Sequence, residues 1–144
     1  MTGLVHAGFS LYWALGGEWL LRTVGAWAVH AARDRPLVAG LLLAGVALVK
    51  AVVAVGPLWA SRRWLADPRW WRVPAWLAAV ALTAYGAVNT LVAWLVLGGA
   101  LEPEGGYDRQ AMVGHAWLWD PLFLLWGLLL GAGLLAGRGR PSGH

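Results

Sequence analysis

Cysteine and isoleucine are absent, lysine and asparagine occur once each, and only 12% of the residues are charged. Without cysteine there is no disulfide framework, no thiolate metal site and no thiol nucleophile. The scarcity of charge excludes more. With 60% hydrophobic residues among 144, the chain carries more apolar surface than one soluble core of that size hides, so the remainder faces lipid. Catalytic signatures are missing as well: there is no phosphate-binding loop, zinc-binding HExxH, serine nucleophile elbow or CxxC.

What the chain has in excess is tryptophan. Twelve indoles suit the boundary between headgroups and hydrocarbon, where the ring sits in the apolar layer and the N–H reaches water. Ten arginines against one lysine, with abundant glycine, alanine and proline, match the codon bias of a GC-rich bacterium. The net charge of +4 raises the question of nucleic acid, but no nucleic-acid-binding signature accompanies it and the arginines cluster between apolar runs. The charge reads as membrane topology, and no nucleic-acid partner is expected.

Apolar runs set the architecture. From Leu37 to Leu58 the only strongly polar side chain is Lys50, and at about 1.5 Å per residue such a run covers the ~30 Å hydrocarbon slab. Val73 to Leu97 is a second run, broken only by Thr83, Tyr85, Asn89 and Thr90 before Gly98-Gly99. Pro121 to Ala136 is a third, lengthened by a helical start near Ala111 and stopped at Gly137-Arg138-Gly139-Arg140-Pro141. Leu4 to Leu15, apolar but for His6, Ser10 and Tyr12, is barely long enough to span, and neither a preceding basic residue nor a cleavage site marks it as a removed signal peptide. Glu18 to Arg33 reads as an amphipathic helix on the membrane surface, with Glu18, Arg22, Thr23, His30 and Arg33 on one side and Leu20, Leu21, Val24 and Trp27 on the other. One long helix from Leu4 to Ala32 is the competing reading. The expected fold is an all-α membrane protein, a single domain over 1–144: a four-transmembrane-helix bundle with spans near 3–17, 37–59, 73–98 and 112–136 and an amphipathic surface helix over 18–33.

Arg62, Arg63, Arg69 and Arg72 crowd the connection after the second span, and Arg138 and Arg140 follow the last. The positive-inside rule then places the basic loop 60–72 and the C-terminus in the cytoplasm of a bacterial cell. Trp59, Trp64, Trp70, Trp71 and Trp76 bracket that loop, while Trp94, Trp117 and Trp119 fall toward the outer face.

Three stretches carry a family likeness: His6 with Leu11-Tyr12-Trp13-Ala14-Leu15-Gly16-Gly17, then Ala84-Tyr85-Gly86-Ala87-Val88-Asn89-Thr90, and finally Gly114-His115-Ala116-Trp117-Leu118-Trp119-Asp120-Pro121 running on to Gly127. In that order the chain resembles a family of small, mainly actinobacterial membrane proteins catalogued as domain of unknown function three-nine-nine-five. The resemblance covers almost the entire chain, and its last block is the most specific. It implies four transmembrane helices and assigns no activity.

Few side chains carry chemistry. His115 and Asp120, at the mouth of a bundle, could pass protons, bind a metal or polarise a substrate. Against that, Asp120 before Pro121 is the pattern of a helix start, with Asp as cap and Pro at the first helical position. His115 would share a stripe with Trp119 and Trp126, as an interfacial anchor. His6 and Trp13 share a helix face, and a lipid-buried imidazole needs a partner such as Tyr85 or Asn89. An axial haem role would need a second His at the same depth, but the topology puts His6 in the inner half and His115 in the outer. Tyr85 and Asn89, one turn apart, are expected to point into the bundle, as interhelical glue or as the polar wall of a cavity. Lys50 is expected to snorkel to the nearby interface. Glu18 is the kind of single first-helix acid that small multidrug exporters use, although Gly16-Gly17 favours a surface location.

The functional expectation is a non-enzymatic membrane module that binds a lipid-like ligand or a membrane protein partner, with Glu18, Tyr85, Asn89, His115 and Trp119 as candidate binding residues. One alternative is a lipid or isoprenoid isomerase or cyclase using His115 and Asp120 as acid and base. Another is a proton-coupled exporter using Glu18. No cofactor and no metal site is expected.

Overall fold

The computed structural model describes residues 1–62 and 69–136, and among them every regular element is helical. α1 (Thr2–Ala14) is followed by a 3-10 turn (Leu21–Thr23), α2 (Ala26–Asp34), α3 (Pro36–Arg62) and α4 (Arg69–Leu97). The last helix begins as α5 (Arg109–Gly114), loosens into a π-helical turn (His115–Trp119) and continues as α6 (Asp120–Ala136). Pro36–Gly56, Trp71–Leu97 and Arg109–Ala136 are each long and apolar enough to cross a membrane. α1 has 13 residues, or about 20 Å at the helical rise, short of the ~30 Å slab. Among the described residues the structure therefore supplies three helices of crossing length where four were expected.

These helices form two antiparallel pairs, and small residues decide how they meet. Gly3 lies against Ala54, and Gly40 against the Ala14 carbonyl, which aligns α1 with α3. Gly86 lies against the backbone of Asp120 and Leu124, and Gly127 against Thr83, which aligns α4 with α6. Close backbone approach of this kind is how helices associate where lipid removes the hydrophobic drive between them. At the far end of that second pair, Arg72 Nη2 donates to the Leu134 carbonyl at 3.2 Å. The two pairs are joined through aromatic side chains of α1 and α6. Leu41, Leu42, Leu48, Val49 and Val52 leave the outer face of α3 exposed and apolar.

Two local expectations are corrected. Residues 18–33 do not form one amphipathic helix, nor does a helix run from Leu4 to Ala32. Gly16 and Gly25 adopt φ of 92° and 142°, and Leu20 stands at φ 61°, conformations that interrupt a right-handed helix and that only glycine adopts at no steric cost. The chain turns there so that Leu21 is buried while Trp27 stays exposed. Asp120 is likewise no helix cap. The cap is Asp108, whose Oδ1 accepts from the N–H groups of Gln110 at 2.9 Å and Ala111 at 3.1 Å, while Asp120 lies inside the continuous helix. Of the groups that predict orientation and the aromatic belts, Arg63, Trp64, Arg138 and Arg140 lie outside the described residues.

Pro121 explains the loosened turn. Its nitrogen offers no N–H to the carbonyls one turn upstream, and its ring crowds them. The chain answers with a π-helical turn ending at Trp119, and the Ala116 carbonyl accepts instead from Trp94 Nε1 of α4 at 3.1 Å.

Candidate functional site

On an ideal α-helix two residues five apart lie about 140° from one another, too far round to touch. The π-helical turn, with its i to i+5 repeat, stacks them. It brings His115 Nδ1 to 3.0 Å from Asp120 Oδ2. His115 Nε2 meets the Val24 carbonyl at 3.3 Å, across from the turn between the 3-10 segment and α2. A carbonyl oxygen only accepts, as does an ionised carboxylate. With Asp120 ionised, both ring nitrogens donate and the pair is imidazolium with carboxylate; with Asp120 protonated, its O–H donates to Nδ1 and Nε2–H to Val24. In either state both nitrogens are engaged. Asp120 is fully buried, and its Oδ1 has no hydrogen-bond partner among the described residues.

Around this pair a network fastens the 3-10 segment to the last helix. Trp119 Nε1 donates to Thr23 Oγ1 at 3.0 Å, and the Thr23 hydroxyl donates to the Leu20 carbonyl at 2.6 Å. Trp13 Nε1 donates to the Trp19 carbonyl at 2.9 Å. Trp119 is buried, edge-on to Trp13 with ring centroids 5.2 Å apart and to Phe9 at 5.1 Å. Gly114 is required here, since any side chain would strike the Thr23 backbone. Trp119 is therefore an internal strut, while Trp94 and Trp117 remain on the surface as an exposed pair with centroids 5.7 Å apart.

The other candidate residues do not join this cluster. Asn89 Nδ2 donates to the carbonyl of Tyr85 on its own helix at 2.8 Å, and Tyr85 is half-exposed with its ring edge on Phe123. They thus build no polar wall with His115. Glu18 stands exposed in the turn after α1. His6 is buried and stacked on Phe123, with centroids 3.9 Å apart, and its Nε2 has no partner in Tyr85, Asn89 or elsewhere among the described residues. Lys50 does not snorkel away: Nζ donates to Ser10 Oγ at 3.1 Å and lies 5.3 Å from the centre of the Phe123 ring. Ser10, Thr23 and the Val24 carbonyl were missed by sequence reasoning. The one legible signal was Pro121 within an otherwise helical run, a known cause of bulges.

The family described as protein of unknown function (DUF3995) matches residues 3–130. The chain belongs to it. The matched stretch contains the whole network just described, from Trp13 through Thr23 and Val24 to His115, Trp119 and Asp120. No curated protein and no solved structure matches this DUF3995 chain. Among its described residues no group of three or more His, Cys, Asp or Glu side chains could hold a metal ion.

Hollows between the described residues of this DUF3995 protein include two of interest. One, of about 350 Å³, runs along α1 between Val5, Gly8, Phe9, Tyr12 and Trp19. The other, of about 250 Å³, lies between the 3-10 turn, α2 and the start of α5, and is lined by Arg22, His30, Arg33, Asp108 and Gln110 among others.

Proposed function

We propose that the chain is a non-enzymatic, multi-pass module of the bacterial cell membrane that holds the hydrocarbon chain of a lipid-like ligand in the groove along α1. The observation that carries this reading is the groove itself: about 350 Å³, lined by Val5, Gly8, Phe9, Tyr12 and Trp19. Gly8 makes room in it, for a Cβ there would meet nothing within 4 Å. Trp19 lines it, and its backbone is held in place, the carbonyl accepting from Trp13 Nε1 at 2.9 Å and the N–H donating to the Tyr12 hydroxyl at 3.4 Å. α1 runs beside α3 between the levels of Gly40 and Ala54. A groove at that depth opens to lipid, and its walls offer an acyl or polyprenyl chain dispersion contacts rather than hydrogen bonds.

The enzyme reading draws support from the 3.0 Å approach of His115 to Asp120. A general acid or base needs a ring nitrogen within reach of substrate, and here Val24 and Asp120 engage both. The exporter reading needs a buried acid, whereas Glu18 is exposed.

The groove is tested by photolabelling in nanodiscs that contain a phospholipid with a diazirine in its acyl chain. Labelling is expected to concentrate on the peptide spanning Val5 to Trp19, and Gly8→Trp, whose Cβ meets no described atom within 4 Å and whose ring would occupy the groove, should reduce it several-fold. Even labelling of every exposed helix face, unchanged in Gly8→Trp, overturns the reading.

The same proposal places the basic connection after α3 and the C-terminus in the cytoplasm. Its support is the arginine bias, with Arg72 already at the α6 end through its bond to Leu134. Because the chain has no cysteine, single replacements report sidedness without background. A membrane-impermeant maleimide applied to intact cells or spheroplasts should label Glu104→Cys and spare Ala66→Cys; the opposite pattern inverts the topology.

A further inference from the structure

We infer that the cleft between Arg22, His30 and Arg33 is a binding site for a phosphate ester bearing free hydroxyls, the chemistry of an anionic glycerophospholipid headgroup. The inference rests on the membrane reading above, but not on the groove along α1.

The cleft joins three elements. The 3-10 turn contributes Arg22; α2 contributes His30 and Arg33, one turn apart on one face; and the start of the last helix contributes Asp108 and Gln110. Among the described residues neither guanidinium makes a hydrogen bond or an ion pair, the one pair within bridging distance being that of His115 with Asp120. Two unpaired guanidiniums facing one hollow repel each other, and a dianionic or monoanionic phosphate relieves that repulsion. Arg presents paired N–H donors that match phosphate oxygens two at a time. His30 adds a further ring nitrogen.

The acid in the cleft sharpens the choice of ligand. Asp108 already gives Oδ1 to the N–H groups of Gln110 and Ala111. Its remaining oxygen is an acceptor, and the Gln110 amide offers both a donor and an acceptor. These suit hydroxyl groups on a glycerol or similar polyol, and they disfavour a quaternary ammonium, which has no hydrogen to donate and would stand beside two arginines. At about 250 Å³ the cleft falls below the ~300–1,000 Å³ of sites that enclose a whole drug-sized molecule. It fits a headgroup.

Its position agrees. Arg33 stands just before Pro36, where α3 begins, and Asp108 caps the helix that crosses from Arg109 to Ala136. Two crossing helices thus begin at the level of the cleft, the level at which headgroups lie. The wall carrying Arg22 is held from behind, since Thr23 is bonded to Trp119 and Val24 to His115. A fixed wall lowers the ordering cost of binding.

The test uses the full chain in nanodiscs of phosphatidylcholine, with phosphatidylglycerol added in increasing fraction, and reads bound lipid by native mass spectrometry together with the melting temperature. Phosphatidylglycerol is expected to be retained in preference to phosphatidylcholine and to raise the melting temperature. Arg22→Gln with Arg33→Gln should weaken that preference about tenfold, and Arg33→Lys should retain part of it, because charge persists while paired donation is lost. Both arginines are exposed and without hydrogen-bond or ion-pair partners among the described residues, so equal melting of wild type and double variant in pure phosphatidylcholine shows that the fold is intact. A parallel arm in neutral detergent adds free glycerol phosphate: arginine-dependent binding there, with no preference among lipids, assigns the same site to a soluble phosphate ester. Equal retention of both lipids with no glycerol phosphate binding, or retention unaffected by the double variant, overturns the site. Gly8→Trp leaves the result unchanged, so failure of the α1 groove and failure of the cleft are read separately.

Discussion

Asp120→Ala is expected to lower the unfolding free energy by about 2 kcal/mol, the scale on which removing a buried hydrogen-bonding partner of an ionisable group destabilises a fold. His115→Ala should cost less, since its side chain is 33% exposed against 1% for Asp120. The double variant should lose less than the sum of the two, with a coupling of about 1–3 kcal/mol between residues in direct contact. Asp120→Asn should fall between wild type and Ala: the amide oxygen still accepts from Nδ1–H, but its NH2 then occupies the place where Oδ1 already has no partner. Reversible unfolding in mixed micelles measures all four chains. Strict additivity of the two alanine substitutions would show that the π-helical turn does not join these residues.

Gly86→Leu should be at least as damaging, about 3 kcal/mol or more. A Cβ at residue 86 runs into the backbone of Asp120 and Leu124, and backbone cannot rotate aside as a side chain can. α4 and α6 would have to part, taking with them the bond from Trp94 to the Ala116 carbonyl. Gly45→Leu on α3 is the matched control, because its Cβ meets nothing within 4 Å, and it should change stability by less than about 0.5 kcal/mol. The midpoint of unfolding for each variant decides the matter; equal midpoints would mean that the two helices do not pack through Gly86.

Much of the helical layout was legible along the chain. Hydropathy acts locally: the run from Leu37 to Leu58 is apolar whatever its neighbours do, and α3, Pro36–Arg62, follows it closely. The block from Gly114 to Gly127 signalled both the family and the site, yet the role assigned to Asp120 was wrong. Asp before Pro reads as a helix start wherever only nearest neighbours are considered, although the helical start expected near Ala111 already lay upstream of it; the structure begins the helix at Arg109, capped by Asp108. The segment after α1 failed for a similar reason. A helical wheel drawn over 18–33 assumes right-handed φ throughout, and the positive φ at Leu20 and Gly25 breaks that assumption. Tyr85 and Asn89 were expected inside because lipid offers no hydrogen-bond partner, but the Tyr85 carbonyl one turn back satisfies the Asn89 amide without a second helix.

By itself the sequence determined that this is a largely apolar helical chain of the DUF3995 family with segments long enough to cross a membrane, because hydrophobic run length and composition are properties of the chain before it folds. Only the tertiary structure decided that His115 meets Asp120, that Trp119 is an internal strut and that Arg22 and Arg33 face one cleft. Those arrangements depend on a π-helical turn, on positive φ at Gly16, Leu20 and Gly25, and on glycines that let helices touch. The π-helical turn stacks two residues five apart, while the turn after α1 brings Thr23 and Val24 to Trp119 and His115, more than ninety residues away; no local pattern encodes which distant carbonyl a given nitrogen will find.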